Sequence, residues 1–263
     1  MKKNLKASII TVVFNGAKTI ANTVKSVLSQ NHCDLEYIVI DGGSTDGTLN
    51  IIADYRDKIS KCVSEPDKGV YDAMNKGIKL STGDIVATLN SDDVYADETI
   101  VAQMVEFIKD NDLDAAYGDL VYTASAGNDC ITRFWKAGEY KRGNFGYGWV
   151  IPHPTFFCRK EIFEKYGYFN DKFQIAADFE LMLRFIEKHR IKVGYLPKII
   201  VKMTKGGKAN VLRGIVRGNW EIIKSFRLNG LRLSPWFFIR KPMAKISQLF
   251  IRPGKLSKIN IDL

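Results

Sequence analysis

The sequence predicts an α/β domain built on a Rossmann-like, mostly parallel central sheet, and three observations predict it. Short apolar, β-branched runs alternate with segments of helical periodicity through the first half of the chain. Turns rich in Gly, Asn and Asp separate these segments. The 263 residues, 46% hydrophobic and 26% charged, suffice to cover both faces of such a sheet with helices.

The elements follow in order. Residues 7–14 form an unbroken strand that stops at Asn15-Gly16, and residues 17–30 place Ile20, Val24, Val27 and Leu28 on one helical face. Residues 36–40 form a second buried strand, closed by the loop Asp41-Gly42-Gly43-Ser44-Thr45-Asp46-Gly47. A helix over 48–55, a short strand over 59–64, a helix over 72–80, a strand over 84–89 and a helix over 98–110 continue the alternation. After Asp114 the pattern changes. Residues 115–124 and 129–135 read as strands of an antiparallel or mixed portion, and 136–154 as a long Gly- and aromatic-rich loop. A strand over 155–159, a helix over 179–189 and a strand over 192–201 follow. These readings divide the chain into a domain over 1–208, with halves 1–113 and 114–208, and a basic helical extension over 209–263.

Charge marks that extension. Residues 191–263 hold 16 Lys and Arg against Glu221 and Asp262, a net of +14, whereas the preceding residues hold 23 basic and 27 acidic, a net of −4. Such asymmetry predicts a tail that meets something anionic. Cys33, Cys62, Cys130 and Cys158 are scattered and form no C-x-x-C pair, which predicts reduced thiols in the cytosol. The first apolar stretch is too short for a signal peptide, and no run reaches the roughly 18 apolar residues of a membrane span.

In open α/β sheets, ligands bind beyond the carboxyl ends of the strands. Here Asn15 ends the first strand, Asp41 the second, Glu65-Pro66-Asp67-Lys68-Gly69 the third and Asn90-Ser91-Asp92-Asp93 the fourth. Any one of these also reads as a helix cap or turn residue; four in a row point to a ligand. Adjacent carboxylates such as Asp92 and Asp93 repel unless a cation or donors compensate, and Mn²⁺ or Mg²⁺ takes such hard oxygen ligands. The loop after the second strand is no G-x-G-x-x-G fingerprint and no Walker loop, which argues against dinucleotide-dependent oxidoreductases and P-loop enzymes.

The runs Ser8–Asn15, Val39–Thr48, Glu65–Gly77 and Leu89–Asp93, in that order, resemble the donor-binding half of family 2 glycosyltransferases, and the likeness extends over about residues 7–208. The resemblance implies the GT-A fold and an inverting transfer from a nucleotide-sugar to a hydroxyl of a glycan acceptor in surface-polysaccharide biosynthesis; UDP is the expected nucleotide, with GDP and dTDP open, and a polyprenyl-diphosphate-linked acceptor is expected from the basic tail. It implies that the strand end over residues 11–14, with Thr11, Val12 and Phe14, and Asp41 hold the nucleobase, that Asp67 and Lys68 line the nucleoside pocket, and that Asn15 and Ser91 belong to the donor site. Asp92 would meet the ribose or sugar, and Asp93 would ligate the metal that bridges the diphosphate. Asp178, in Ala176-Ala177-Asp178-Phe179-Glu180, would be the general base, although Asp is also a favoured helix N-cap. His153, Trp149, Glu180 and Arg184 fall on the acceptor side, and Lys205 and Lys208 lie in a Gly-rich loop placed to close over the diphosphate. The Gln-x-x-Arg-Trp signature of processive synthases is absent, which favours one transfer per encounter.

The tail is the part this resemblance explains least. Pro235-Trp236-Phe237-Phe238-Ile239 precedes Arg240-Lys241, and Met243, Ile246, Leu249 and Phe250 recur at helical spacing. Basic residues beside an aromatic-rich apolar face suit an anionic membrane surface on its cytoplasmic side; a terminal helix packed on the domain is the alternative. No nucleic-acid motif accompanies the charge, so nucleic acid is not expected as a partner. A sugar-phosphate nucleotidyltransferase and a catalytically idle nucleotide-binding protein are the rival readings; the Gly-rich basic signature of the former is missing near the N-terminus.

Overall fold

The computed structural model describes residues 4–124, 130–204 and 212–250. In the first half, strands β1 (Ala7–Val13), β2 (Leu35–Asp41), β3 (Lys61–Ser64) and β4 (Ile85–Asn90) run parallel, with β1 between β2 and β4 and with β3 outside β2. Helices α1 (Ile20–Leu28), α2 (Thr48–Ala53), α3 (Val70–Leu80) and α4 (Ile100–Asp110) supply the crossovers and cover. The period-2 geometry of a strand sends alternate side chains of β1 to opposite layers. Ile9 and Val13 pack with Val24 of α1 and Met104 of α4, whereas Ile10 and Val12 pack with Met74 and Ile78 of α3. Chain order thus delivers each strand end to one edge of the sheet.

The second half is mixed, as its sequence pattern predicts. It comprises β5 (Asp93–Tyr95), β6 (Ala115–Thr123), β7 (Ile131–Trp135), β8 (Phe157–Arg159) and β9 (Val193–Thr204). The sheet order is β3-β2-β1-β4-β8-β6-β9-β5, with β7 on β6. Strand β8 is antiparallel to β4 and β6, β9 is parallel to β6, and β5 is antiparallel to β9. The three-residue β5 was not foreseen. It carries the chain from the centre of the sheet to its end, and it registers Asp93 opposite Met203.

Three helices complete this half: α5 (Lys160–Tyr166), α6 (Ala177–Met182) and α7 (Leu212–Leu228), followed by α8 (Phe237–Phe250). At seven residues α5 is shorter than the window in which helical periodicity shows, which is why sequence reading left it unassigned. Helix α6 starts at Ala177 and continues as π-helical turns over Leu183–Lys188. The segment after residue 208 does not stand apart. Ile222 and Phe226 of α7 and Phe237 of α8 are buried in the same core as Phe179 of α6, with ring centroids 5.9 Å (Phe226) and 6.1 Å (Phe237) from Phe179. No described helix is long and apolar enough to cross a membrane. None of the four cysteines is joined in a disulfide, and Cys158 is the buried one.

Candidate active site

The site is built where β1, β2, β3 and β4 end. Asn15 takes a left-handed conformation (φ 52°), which turns the chain sharply after β1. The turn is knitted to the loop after β2: the Asn15 amide donates to Ser44 Oγ (2.7 Å), and Asn15 Oδ1 accepts from the Thr45 amide (2.9 Å). Phe14, 64% exposed, and Asn15 face an open cleft shared with Gly16, Lys18, Ser91 and Asp92. Thr11 and Val12 do not reach it. Their side chains are buried in the two layers of the sheet, and the Thr11 hydroxyl accepts from Tyr37 Oη (3.1 Å). Only the backbone of these two residues is left to face a ligand at the strand end, since successive side chains enter opposite layers.

Asp41 is fully buried at the end of β2. Its Oδ2 accepts from the amides of Gly43 (3.1 Å) and Ser44 (3.0 Å) and from Ser64 Oγ (2.7 Å), and its Oδ1 has no partner. Asp67 approaches from the β3 side. A Cβ on Gly42 would stand 2.4 Å from Asp67 Oδ2, so the glycine leaves room for the Asp67 carboxylate to lie against the loop after β2. Lys68 is exposed beside it, with its amide bound to Asp72 Oδ2 (3.0 Å).

Asp93 is likewise fully buried. Asn90 Nδ2 donates to its Oδ2 (3.1 Å), and its Oδ1 has no partner. Burial first, and the charge of Asp92 second, push its carboxyl well above the usual carboxylate range. An ionised pair at this turn needs a positive charge, and the unpaired Oδ1 is the acceptor that a hard divalent cation would take. Among the described residues no three His, Cys, Asp or Glu side chains converge as a metal cage. Asp93 would therefore share such an ion with oxygens of substrate or water. The Asp92 carbonyl accepts from Thr204 Oγ1 (3.0 Å), which brings the end of β9 to this turn. Lys205 and Lys208, one and four residues further on, lie outside the described residues.

On the other side of the edge stands Asp178, in the first turn of α6. It is not the N-cap; Ala176 occupies that position. Asp178 Oδ1 accepts from the Phe179 amide (2.8 Å) and lies 3.2 Å from Tyr71 Oη, the side chain that α3 presents from beyond the β3 loop. Tyr71 Oη also lies 2.8 Å from the Ile175 carbonyl, so one proton is shared between two acceptors. Burial and the nearby Asp178 charge raise the Tyr71 phenol well above its ordinary value, which keeps it a donor. Sequence reading assigned Tyr71 no role; its place in the run Val70-Tyr71-Asp72 at the start of α3 was the only available sign. His153 belongs to the same group. Its Nε2 lies 3.3 Å from Thr88 Oγ1 on β4, and its ring meets Phe169 edge-on at 5.5 Å. Burial lowers its basicity, partly opposed by the charge of Asp178.

The remaining acceptor-side residues are engaged within the fold. Glu180 is buried and paired with Arg184 (Oε1 to Nε, 3.0 Å) and accepts from Asn229 Nδ2 (3.0 Å). All five N–H donors of Arg184 meet protein oxygens: both Glu180 oxygens and the carbonyls of Tyr166, Gly167 and Tyr168. Trp149 donates to the Ala137 carbonyl (2.7 Å) and packs edge-on against Phe145 at 5.3 Å. The polar groups of Glu180, Arg184 and Trp149 named here are thus already paired within the fold, and Glu180 and Arg184 also line a shallow pocket with Tyr166, Tyr168 and Asn170.

Comparison with known proteins adds three findings. A family model, Glycosyl transferase family 2, matches residues 8–167. A PGL/p-HBAD biosynthesis glycosyltransferase of Mycobacterium tuberculosis is 27% identical over 210 residues, 78% of this chain and 79% of its own length. An uncharacterized glycosyltransferase of the same species is 32% identical over 193 residues, 67% of each chain. Staphylococcus aureus TarS 1-349, solved with UDP-GlcNAc, has a TM-score of 0.66 at 19% identity, covering 93% of this chain and 72% of that one. The mannosyltransferase PcManGT of Pyrobaculum calidifontis, solved with GDP-Man and Mn²⁺, has a TM-score of 0.65 at 17% identity, covering 92% and 69%. The fold is GT-A.

Proposed function

Because the chain belongs to glycosyl transferase family 2 and is a glycosyltransferase, we propose that it moves one sugar per encounter from a nucleoside-diphosphate sugar to a hydroxyl of a glycan acceptor, with inversion. The observation that carries this reading is a pair of atoms. Among the described residues, the buried side-chain oxygens and nitrogens without a partner are Asp41 Oδ1, Asp93 Oδ1 and Tyr95 Oη, and both carboxylate oxygens sit on the edge where the strands end. Leaving such a group unpaired costs about 1–3 kcal/mol, more when charged, so each is spare capacity for a ligand. Asp41 Oδ1 would accept a ring N–H of the base, beside Phe14 and Asp67. Asp92, Ser91 and Asn15 would line the path of the ribose, sugar and diphosphate. A divalent cation held by Asp93 would offset the charge that grows on the departing diphosphate.

Asp178 takes the proton of the acceptor hydroxyl as that oxygen forms a bond to the anomeric carbon and the bond to the diphosphate breaks on the opposite face. His153, held between Thr88 and Phe169, would meet the acceptor beside it. UDP is the nucleotide we favour; among the similar structures, one holds a UDP-sugar and one a GDP-sugar. The acceptor reading extends to a lipid-linked glycan at an anionic membrane, supported by the exposed Trp236, Ile239 and Met243 beside the exposed Arg240.

Thermal unfolding with UDP, GDP and dTDP, each with and without Mn²⁺, tests this function. A ligand at about 100 times its Kd stabilises the native state by about 2.7 kcal/mol, and we expect UDP with Mn²⁺ to give the largest shift. Asp93→Asn should keep the fold and lose the Mn²⁺-dependent part. An unchanged Mn²⁺ dependence in that variant would show that Asp93 is not the ligand. Free nucleoside diphosphate released during turnover separates a transferase from a nucleotidyltransferase, which releases pyrophosphate, and from an idle binding protein.

A further inference from the structure

Glu221 lies on α7, in the segment that neither the family match nor the sequence motifs include. It is one of two acidic residues in the last 73 residues of the chain, and it is buried. Burying a carboxylate requires several strong partners, and Glu221 has four. Its Oε1 accepts from the Gln174 amide (3.0 Å) and Arg217 Nε (3.1 Å), and its Oε2 accepts from the amides of Ile175 and Ala176 (2.9 Å each). Three consecutive backbone N–H groups therefore converge on one side chain delivered from a different helix. These are the amides of the α6 N-cap, Ala176, and of the two residues before it, so Glu221 fixes the chain just as it enters the helix.

What those amides carry gives the contact its meaning. The carbonyl of Ile175, the middle residue of the three, takes the Tyr71 hydroxyl at 2.8 Å, and the same hydroxyl stands 3.2 Å from Asp178 Oδ1. Gly218, one turn before Glu221, lets α7 approach closely: a Cβ there would lie 3.3 Å from Ile175 Cγ2. At the other end of the contact, Asn229 donates to Glu180, two residues beyond Asp178. Helix α7 and Asn229, the residue that follows it, thus hold the chain on both sides of Asp178.

We propose that Glu221 is a positioning residue for the transfer reaction, fixing the 174–176 backbone so that the Ile175 carbonyl and Tyr71 hold the Asp178 carboxylate toward the acceptor; this rests on the reading of Asp178 as the base. The segment outside the family match is then a working part of the site. Its contribution falls on the chemical step and leaves the nucleotide side, at the ends of β1 to β4, untouched.

The test uses the full chain with Glu221→Gln, which keeps one acceptor and the side-chain volume, assayed at a temperature where its circular dichroism matches the wild type. Misplacing a reacting group by about 1 Å costs on the order of 10²-fold in rate. A fall in kcat of roughly 10–100-fold is expected, with donor KM and nucleotide affinity unchanged. In an Asp178→Asn background the same substitution should cost nothing further. Tyr71→Phe removes the link from its other end without touching the Glu221 contacts; it should lower kcat in the same way, and it keeps the test open where Glu221→Gln weakens the fold. Wild-type kcat in Tyr71→Phe, a loss confined to donor binding, or an undiminished loss in the Asp178→Asn background would each overturn the proposal. Wild-type turnover in Asp178→Asn alone would instead overturn the base reading on which it rests.

Discussion

One oxygen of Asp178 meets the Phe179 amide and the Tyr71 hydroxyl, and both contacts fall on Oδ1. A carboxylate held by one oxygen keeps the other available to a substrate proton, which is the arrangement general-base chemistry needs. We expect Asp178→Asn to keep donor affinity, because the nucleotide side is built from other strand ends, and to lower transfer by about 10²–10⁴-fold. Single-turnover transfer measured beside nucleotide binding checks this; normal transfer in that variant would remove Asp178 from the mechanism. At this scale the polar residues at strand ends were legible and their contacts across the chain were not. Asp41, Asp67, Asp92 and Asp93 stand at or within a few residues of a strand end, so chain order alone brings them to one edge. Tyr71 and Asp178 are 107 residues apart, and nothing local in either run shows that they touch. The same holds for Glu180 and Arg184. Their i, i+4 spacing announced a pair, while its burial depended on Asn229 and the carbonyls of 166–168.

At the scale of elements, the sheet has a chemical edge and a structural edge, and Glu36 governs the second. It begins β2 at the end opposite the site, and its carboxylate accepts from Ser8 Oγ (2.6 Å), the Thr82 amide (2.7 Å), Thr82 Oγ1 (2.9 Å) and Lys61 Nζ (3.0 Å). Those bonds tie β1, β2, β3 and the turn between α3 and β4. Burial alone would raise the Glu36 pKa, yet the hydrogen bonds prevail and bring it from 4.5 down to about 2. A depressed folded-state value stabilises the fold above the unfolded value, and this is lost as pH falls from about 4.5 toward about 2. The full effect is about 3 kcal/mol at neutral pH. Glu36→Gln should therefore unfold at lower denaturant at pH 7 and show a flatter loss of stability between those pH values than the wild type. Equal acid slopes in the two proteins would mean that another carboxylate controls this region. Sequence reading placed Glu36 at a strand start and no more; its burial follows from three other elements meeting there. The missed α5 and β5 have the same origin, since elements of seven and three residues are fixed by tertiary partners more than by their own pattern.

For the molecule as a whole, the basic segment has two sides with different work. Inward, Ile222, Phe226 and Phe237 complete the core and Glu221 holds the N-cap of α6; outward, α7 shows Ile215, Val216 and Trp220, and Trp236 stands exposed just before α8 with Ile239 and Met243 of that helix. Arg217, Arg227, Arg232 and Arg240 are exposed among them, and the one acid of the described segment, Glu221, is turned inside. The sequence showed both the charge and the aromatic residues but could not sort inward from outward. Phe237 and Phe238 are neighbours, one buried and the other exposed. A face that joins exposed apolar side chains to a net excess of cations, with Arg217 alone of the four paired to Glu221, matches an anionic bilayer surface, where each basic residue contributes about 1 kcal/mol and inserted apolar groups add to it. The full chain should cosediment with vesicles containing phosphatidylglycerol at low salt and progressively less at high salt. Replacing Trp236, Ile239 and Met243 together by Ser should weaken this binding while leaving nucleotide affinity intact, because all three are exposed and none lines the cleft. Substitution is the cleaner test than truncation before residue 236, which would also remove the buried Phe237. Should the intact protein ignore anionic vesicles at low salt, the outward face serves something other than a membrane, and a lipid-linked acceptor loses its structural support.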